Sequence, residues 1–561
     1  MNDINIVIAG AAGEGIQSIG EIFTRVVSGQ GYAVFSWQEY ESRIRGGVNR
    51  FAIRIGDQPV NAPLEEADIL MALNPDAAKK YQPILKKEGI LVAENDTEGA
   101  GITIAFRKAA KEAFDDPIYA NTIAAGVLAG ILGMDLDRLK DRISKHFEGK
   151  DDTVIQNNRD AADKGYRMAD QSCRDQCPWE LPSREAAYSL IAGNDMLPIA
   201  AVHAGCCFIA AYPMSPSTSI ITTLADHSRE WGVFAEQAED EIAAINMAIG
   251  ASFAGTRAMT ATSGGGFALM AEGISLAGMT ETPVVVVLGQ RPGPATGLPT
   301  RTAQGDLLFA VHAGHGEFPK MVMAPSDPRD LFHKTVRAFN LADRFQIPVI
   351  ILTDQFLAES QFSMETPGAN EARPEYHLTD GSTISAYKRY ELTETGISPR
   401  LYPGQSEHLV GADSDEHDEW GHITEDLKEI APAMAEKRRA KTEALKAAVA
   451  PPETDQIDTA EVVLVGWGSC RGAMREAIDL LRDDGIKVGM IHFTELWPLP
   501  QMDWPPDRSY WTVEANATGQ LARLLRSEYP ISFEGHVLKY NGLPLTAEEI
   551  RRQIHDRSQT K

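Results

Sequence analysis

In the middle of the chain, a carboxylate, a guanidinium, several hydroxyls and a run of glycines fall at the ends of strand-like segments. Tyr212 to Thr218 spell YPMSPST, directly after the apolar run CFIAA. Its two prolines fix the local φ angles, so Pro213 shapes a turn that holds Ser215, Ser217 and Thr218 at the strand end. Their hydroxyls are free for a ligand, or they cap the next helix. In AEQAEDEIAAINMAIGASFAG, Ile242, Ile245 and Ile249 share a helical face, which predicts a buried helix with Glu241 at its start. A helix N-terminus favours a carboxylate by about 0.3 to 1 kcal/mol, whereas burial disfavours the charged form. A carboxyl placed between those effects can trade a proton with a ring nitrogen. The alternative is an exposed first-turn acid like its neighbours Glu239 and Asp240. In TATSGGG, Gly264, Gly265 and Gly266 remove side chains where a flat or anionic ligand can approach backbone, or they make a tight turn. Arg291, in QRPGPATGLPT, stands at another strand end, where a guanidinium can grip a carboxylate through two hydrogen bonds or lie on the surface.

The elements that must position these groups follow from periodicity. CFIAAY, RAMTAT, PVVVVLG, KMVMAP and PVIILTD are strand-like runs separated by helix-length stretches, which predicts a parallel sheet covered by helices. Open sheets of that kind bind ligands at the carboxyl edge of their strands. The N-terminal block opens with INIVIAG and a helical GIQSIGEIFTRVVSGQG, then continues through AIRI, DILMAL and GILVAE, again read as a parallel sheet. NTIAAGVLAGILGM is small-residue-rich enough to be a buried helix. After a charged, proline-punctuated excursion ending in MAEKRRAKTEALKAAV, the last block repeats the pattern in EVVLVGWGS, KVGMIHF, YWTVEA and GQLARLLRSEY. The expectation is a multidomain α/β chain: a first domain over 1–185, a second parallel-sheet domain over 186–400, a linker or excursion over 401–455 and a C-terminal α/β domain over 456–561.

Composition narrows the partners. The net charge of -26 over 561 residues repels phosphate backbones and anionic lipid, which argues against nucleic acid and membranes. No segment approaches the roughly 18 continuous apolar residues of a membrane span, and the N-terminus lacks the pattern of a signal peptide. Five cysteines, an odd number, point to a reducing, cytoplasmic compartment rather than a disulfide framework. Cys173 and Cys177 form a solitary C-x-x-x-C and Cys206 with Cys207 lie in an apolar strand, so they read as structural thiols rather than cluster ligands. In GAAGEG, Gly10, Gly13 and Gly15 are spaced G-x-x-G-x-G rather than as the dinucleotide fingerprint.

The order GNDMLPIAAVHAG, YPMSPST, EDEIAAINMAIGAS, TATSGGG, QRPGPATGLPT and PVIILTDQFL resembles the alpha subunit of 2-oxoacid:ferredoxin oxidoreductases. GAAGEGIQSIG with ESRIRGGVNR looks like the gamma domain of that family, and GWGSC through FTELWPLP to VEANATGQ resembles the alpha-chain domain that follows the thiamine-binding one. The resemblance implies a gamma-alpha fusion, with a thiamine-diphosphate-binding (pyrimidine-type) domain and a transketolase C-terminal-like domain. It casts Glu241 as the acid that hydrogen-bonds the cofactor's aminopyrimidine, with Pro213, Gly264 and Gly265 beside the cofactor. Arg291 then holds the 2-oxoacid carboxylate and Ser215 the substrate's carbonyl or carboxylate region. Ser215 and Met214 depart from the YPITPST of many relatives, where Thr and Ile stand. The implied coenzyme A site lies near the first domain, with Arg45 and Gly46 as candidate contacts. A GDG motif with a downstream Asn, which holds magnesium and diphosphate in thiamine enzymes, is not in the sequence, nor is a cysteine set suited to a 4Fe-4S cluster. The resemblance therefore implies a separate beta subunit carrying both, ferredoxin as electron acceptor, and an (alpha-beta)2 heterotetramer. The motif wording favours 2-oxoglutarate, with pyruvate, branched-chain 2-oxoacids and a non-catalytic α/β scaffold as alternatives.

Overall fold

The structure is a computed structural model that describes residues 3–42, 46–94, 97, 99–173, 177–185 and 188–558. The chain divides into two compact units, one of Met1–Ile191 with Ser360–Thr366 and Thr546–Glu548, the other of Ala192–Glu359, Pro367–Leu545 and Glu549–Lys561. Among the described residues, no helix is long and apolar enough to cross a membrane.

The first unit is built on an eight-stranded sheet, and it departs from the parallel arrangement expected there. The strand Ile4–Ala12 pairs in parallel with Ala67–Ala72 but antiparallel with Gly46–Gly56, which in turn pairs antiparallel with Ala33–Glu39. The reason is chain length, since a parallel crossover needs about a dozen residues or more and the connection between the last two strands is far shorter. The small-residue helix is buried as expected over Ala120–Ile131. Its Gly126 lies against the backbone of Ala162 in the helix Asp152–Cys173, so closely that any Cβ would collide with the Ala162 carbonyl.

The second unit carries the parallel sheet. Its seven strands run in the order Glu495–Trp497, Met321–Met323, Pro348–Asp354, Val284–Gln290, Arg257–Ser263, Cys206–Ala211 and Phe234–Gln237. All the pairings are parallel except that of the edge strand Glu495–Trp497. Strands such as Val284–Gln290, buried at every position, are covered on both faces, which is why they read as unbroken apolar runs. A five-stranded sheet follows, with Val462–Trp467 at its centre. Val286, Leu288 and Ile350 of the first sheet and Val463, Val465, Trp467 and Phe493 of the second belong to one buried cluster. Burying such side chains stabilises by about 1.5–3 kcal/mol each. The C-terminal segment therefore shares a core with the parallel-sheet segment and contributes a strand to its edge.

The segment expected as a linker, 401–455, is likewise built in. Its helix Ile430–Lys446 buries Lys437 and Lys441 against the carboxylate of Glu281, with Lys437 Nζ 2.6 Å from Oε1. Buried ammonium groups require such a partner, which lies far away in sequence.

Candidate active site

The expected site residues of the second unit converge on the carboxyl edge of its parallel sheet, where the strands Cys206–Ala211, Arg257–Ser263 and Val284–Gln290 end side by side. Pro213 and Ser215 lie in the turn after the first of these strands and Gly264 to Gly266 begin a short helix directly after the second. Arg291 follows the third. Glu241 begins the helix Glu241–Phe253, which the side chain of Asp240 caps by accepting from Ala243 N at 2.8 Å.

Glu241 is 4% exposed and its Oε1 has no hydrogen-bond partner. It lies against the triple glycine so closely that a Cβ at Gly266 would run into Glu241 Oε1 and Thr262 Oγ1. The hydroxyl of Ser263, just before the glycines, is also buried without a partner. Arg291 Nη1 donates to the backbone carbonyl of Ser215 at 2.7 Å, which joins the two expected substrate residues. Burial lowers the Arg291 pKa, opposed by the negative charge of Asp306.

Two expectations are corrected here. Ser217, grouped with the ligand-facing hydroxyls, is 3% exposed and closes its own turn by donating to Met214 O at 2.7 Å, while Ser215 stays exposed. On the helix of Glu241, Ile245 and Ile249 are buried, but Ile242 is 50% exposed. The apolar face is thus wider than the core it covers.

Asp306 is the functional candidate that motif reasoning passed over. Its backbone N–H donates to Gln290 Oε1 at 3.0 Å, and its Oδ2 is buried without a partner, 2.9 Å from where a Cβ on Gly264 would lie. Burial pushes its pKa up to about 6 against the opposing pull of Arg291. The Asp306 segment is held from the C-terminal part of the chain. Gln304 exchanges hydrogen bonds with the backbone of Ala515, and Gln520 donates to Gly305 O at 2.6 Å while accepting from Leu308 N at 3.0 Å. The available signal was the motif QGD at the end of the arginine loop.

In the first unit, Arg45 lies outside the described residues. Gly46 is exposed at the start of its strand with φ +80°, and a Cβ there would touch nothing. The GAAGEG loop is closed by its own acid: Glu14 Oε2 accepts from Ala11 N at 2.7 Å and from Asn74 at 2.6 Å, and Arg107 bonds Oε1. The loop's own carboxylate thus takes up the Ala11 N–H.

The cysteines correct a further expectation. Cys173 and Cys177 are joined as a disulfide with Cα atoms 5.4 Å apart, a spacing that four positions at a helix end bring within bridging range. Cys206 is buried, with its thiol pushed up to about 12, whereas Cys207, expected to be embedded in the same apolar strand, is exposed near the strand's start.

Orphaned oxygens of Glu241 and Ser263 around a loop without side chains suit a flat heteroaromatic ring that can exchange a proton with a carboxyl, as the aminopyrimidine of thiamine diphosphate can. By family comparison, residues 199–436 match pyruvate flavodoxin/ferredoxin oxidoreductase, thiamine diphosphate-binding. Residues 5–168 match pyruvate ferredoxin/flavodoxin oxidoreductase, and 460–508 match pyruvate:ferredoxin oxidoreductase core domain II. The 2-oxoacid:ferredoxin oxidoreductase subunit alpha of a Sulfolobus species is 30% identical, over 98% of this chain and 96% of its own. The 2-oxoglutarate oxidoreductase subunit KorA of Mycobacterium tuberculosis is 30% identical over 98% of this chain and 91% of its own. The solved 2-oxoglutarate:ferredoxin oxidoreductase of Magnetococcus marinus, with 2-oxoglutarate, coenzyme A and succinyl-CoA bound, superposes with a TM-score of 0.92 at 32% identity, covering 99% of both chains.

Proposed function

This chain belongs to the 2-oxoacid:ferredoxin oxidoreductase family as an alpha subunit, and from that premise we propose that its substrate is 2-oxoglutarate. With a beta subunit, it oxidises 2-oxoglutarate and coenzyme A to succinyl-CoA and carbon dioxide, and two electrons pass singly to two ferredoxins. The observation that supports the thiamine chemistry is the buried, unpartnered Glu241 Oε1 beside the triple glycine, on the same sheet edge as Arg291, and the choice of 2-oxoglutarate leans on the likeness to the Magnetococcus marinus enzyme solved with that substrate.

Thiamine diphosphate, when bound, supplies the nucleophilic carbon and the electron sink for decarboxylation. Glu241 holds or releases a proton at the pyrimidine ring, next to Pro213, Gly264 and Gly265. Arg291 orients the substrate by its carboxylate, and Ser215 places a hydroxyl in the substrate's carbonyl or carboxylate region. Magnesium, the diphosphate grip and a 4Fe-4S cluster belong to the beta subunit in this scheme, and the assembly is an (alpha-beta)2 heterotetramer. Support for a covering partner comes from large apolar side chains left exposed beside the site residues: Ile242 at 50%, Leu269 at 50%, Leu298 at 52% and Phe309 at 37%. Coenzyme A approaches the first unit near Arg45 and Gly46.

The test is to purify the chain with its beta subunit and to measure dye or ferredoxin reduction with coenzyme A against a panel of 2-oxoacids. The expected result is the highest kcat/KM for 2-oxoglutarate. A preference for pyruvate or a branched-chain 2-oxoacid overturns the substrate, and full activity of the chain alone overturns the division of labour.

A further inference from the structure

We propose that Asp306 is a positioning residue that acts through Arg291, taking up a proton from solvent when a 2-oxoacid carboxylate docks on that guanidinium. The inference rests on Arg291 being the carboxylate grip.

Three observations place Asp306 for this role. Its backbone is bonded to the side chain of Gln290, the residue just before Arg291, so the loop of the acid and the loop of the cation are tied together. Its Oδ2 is buried without a partner above Gly264, an expensive arrangement for a charge unless the pocket uses it. Gln520 holds the backbone on both sides of it, which fixes where the Asp306 Cα sits relative to the glycine turn.

The surrounding charges make Arg291 its electrostatic partner. From the helix Glu241–Phe253, Glu241 faces Gly266 rather than Gly264. The helix Gln520–Glu528 presents the neutral Gln520. Glu514 is turned to the backbone of Leu521 and Ala522, and Asp354 to Ser469. Arg291 is the charge that acts on Asp306. One guanidinium stabilises one anion well and two badly where an oxygen of one of them is shut off from water, as Oδ2 of Asp306 is. The carboxyl of a 2-oxoacid is much the stronger acid, so the arriving carboxylate keeps its charge and Asp306 is neutralised, one proton moving from solvent to its carboxylate. With a resting pKa at about 6, Asp306 is mostly ionised at neutral pH and has that proton to gain. The protonated form binds substrate better, so affinity is greatest below about pH 6 and declines as pH rises through it.

The experiment uses the reconstituted complex with its beta subunit. In the wild type, kcat/KM for 2-oxoglutarate is expected to decline about tenfold from about pH 6 to about pH 8, to be flat in Asp306→Asn, and to decline again in Asp306→Glu. Titration calorimetry at neutral pH with 2-hydroxyglutarate, which has the same carboxylate but cannot be decarboxylated, is run in two buffers of different ionisation enthalpy. It should show uptake of roughly half a proton or more per site in the wild type and none in Asp306→Asn. An Asp306→Asn profile that keeps the wild-type decline overturns the proposal, as does a wild type that takes up no proton; either leaves the functional reading standing if 2-oxoglutarate is turned over. A complex that turns over no 2-oxoacid overturns both. If Asp306→Asn fails to fold, the wild-type calorimetry and the Asp306→Glu profile decide.

Discussion

Arg291 Nη1 donates to the main-chain carbonyl of Ser215 at 2.7 Å, across a sheet edge where the strand Arg257–Ser263 lies between the two strands that carry them. One nitrogen of the guanidinium is thereby committed to backbone. That bond restrains the guanidinium before any ligand arrives and leaves its other donors for a second acceptor. Preorganisation of that kind favours a planar carboxylate.

Replacing Arg291 should therefore affect substrate use above all. A charge-assisted hydrogen bond contributes about 1.5–3 kcal/mol, so Arg291→Ala should lower kcat/KM for the 2-oxoacid about 10- to 150-fold. Arg291→Lys should recover only part of this, because an ammonium cannot span the Ser215 carbonyl and a carboxylate in one plane. Unchanged kcat/KM across several 2-oxoacids would move the grip elsewhere.

Glu241 makes the opposite kind of prediction. Its orphaned oxygen burdens the fold, so Glu241→Gln should leave the melting temperature of the chain unchanged or raised. Turnover in the complex should fall at least about 100-fold, the usual scale for losing a positioned acid or base. Gly266→Ala, whose methyl would displace the carboxylate, should share the loss of turnover. Glu241→Gln that melts earlier yet works normally would make Glu241 a structural residue.

The contrast between Glu241 and Asp306 shows what the sequence could reveal. Glu241 sat in a familiar motif at a helix start, and the strands around it were evident because parallel strands buried on both faces leave unbroken runs such as PVVVVLG. Asp306 has no such frame, since its placement depends on Gln520, more than 200 positions later. The segment ending in MAEKRRAKTEALKAAV reads as an excursion because the partner of Lys437 and Lys441, Glu281, lies about 160 positions earlier. Ile242 was read as core because periodicity cannot separate a face covered by this chain from one left exposed. The antiparallel pairing of Ala33–Glu39 was missed because short apolar runs carry no direction.

Gln520 offers a test of long-range positioning. Gln520→Ala removes the hydrogen bonds to Gly305 O and Leu308 N, which together contribute about 1–3 kcal/mol to holding that loop. The expected outcome is a loss of about tenfold in kcat/KM, larger than any change in melting temperature would imply for a surface residue. Wild-type kinetics in Gln520→Ala would show that the loop is held without it.

The buried cluster at Glu281 should respond asymmetrically to mutation. Glu281 is held ionised, well below the usual carboxylate range, by Lys441, Lys437 and Arg389, despite full burial. Removing it in Glu281→Ala leaves buried cations unpaired and should cost about 3–5 kcal/mol in denaturant unfolding. Lys441 is the surplus cation, pushed down to about 7 by burial, so Lys441→Met should be neutral or stabilising at neutral pH. The linkage sign follows from where the proton sits. Between about pH 7 and the ordinary lysine range near about 10.4, the unfolded chain keeps a proton on Lys441 that the folded chain has released. Wild-type stability should therefore rise with pH in that window, and the melting temperature of the wild type relative to Lys441→Met should climb from pH 7 to 9. A difference that stays flat or falls would mean that Lys441 remains charged inside the fold, with Glu281 holding both ammonium groups.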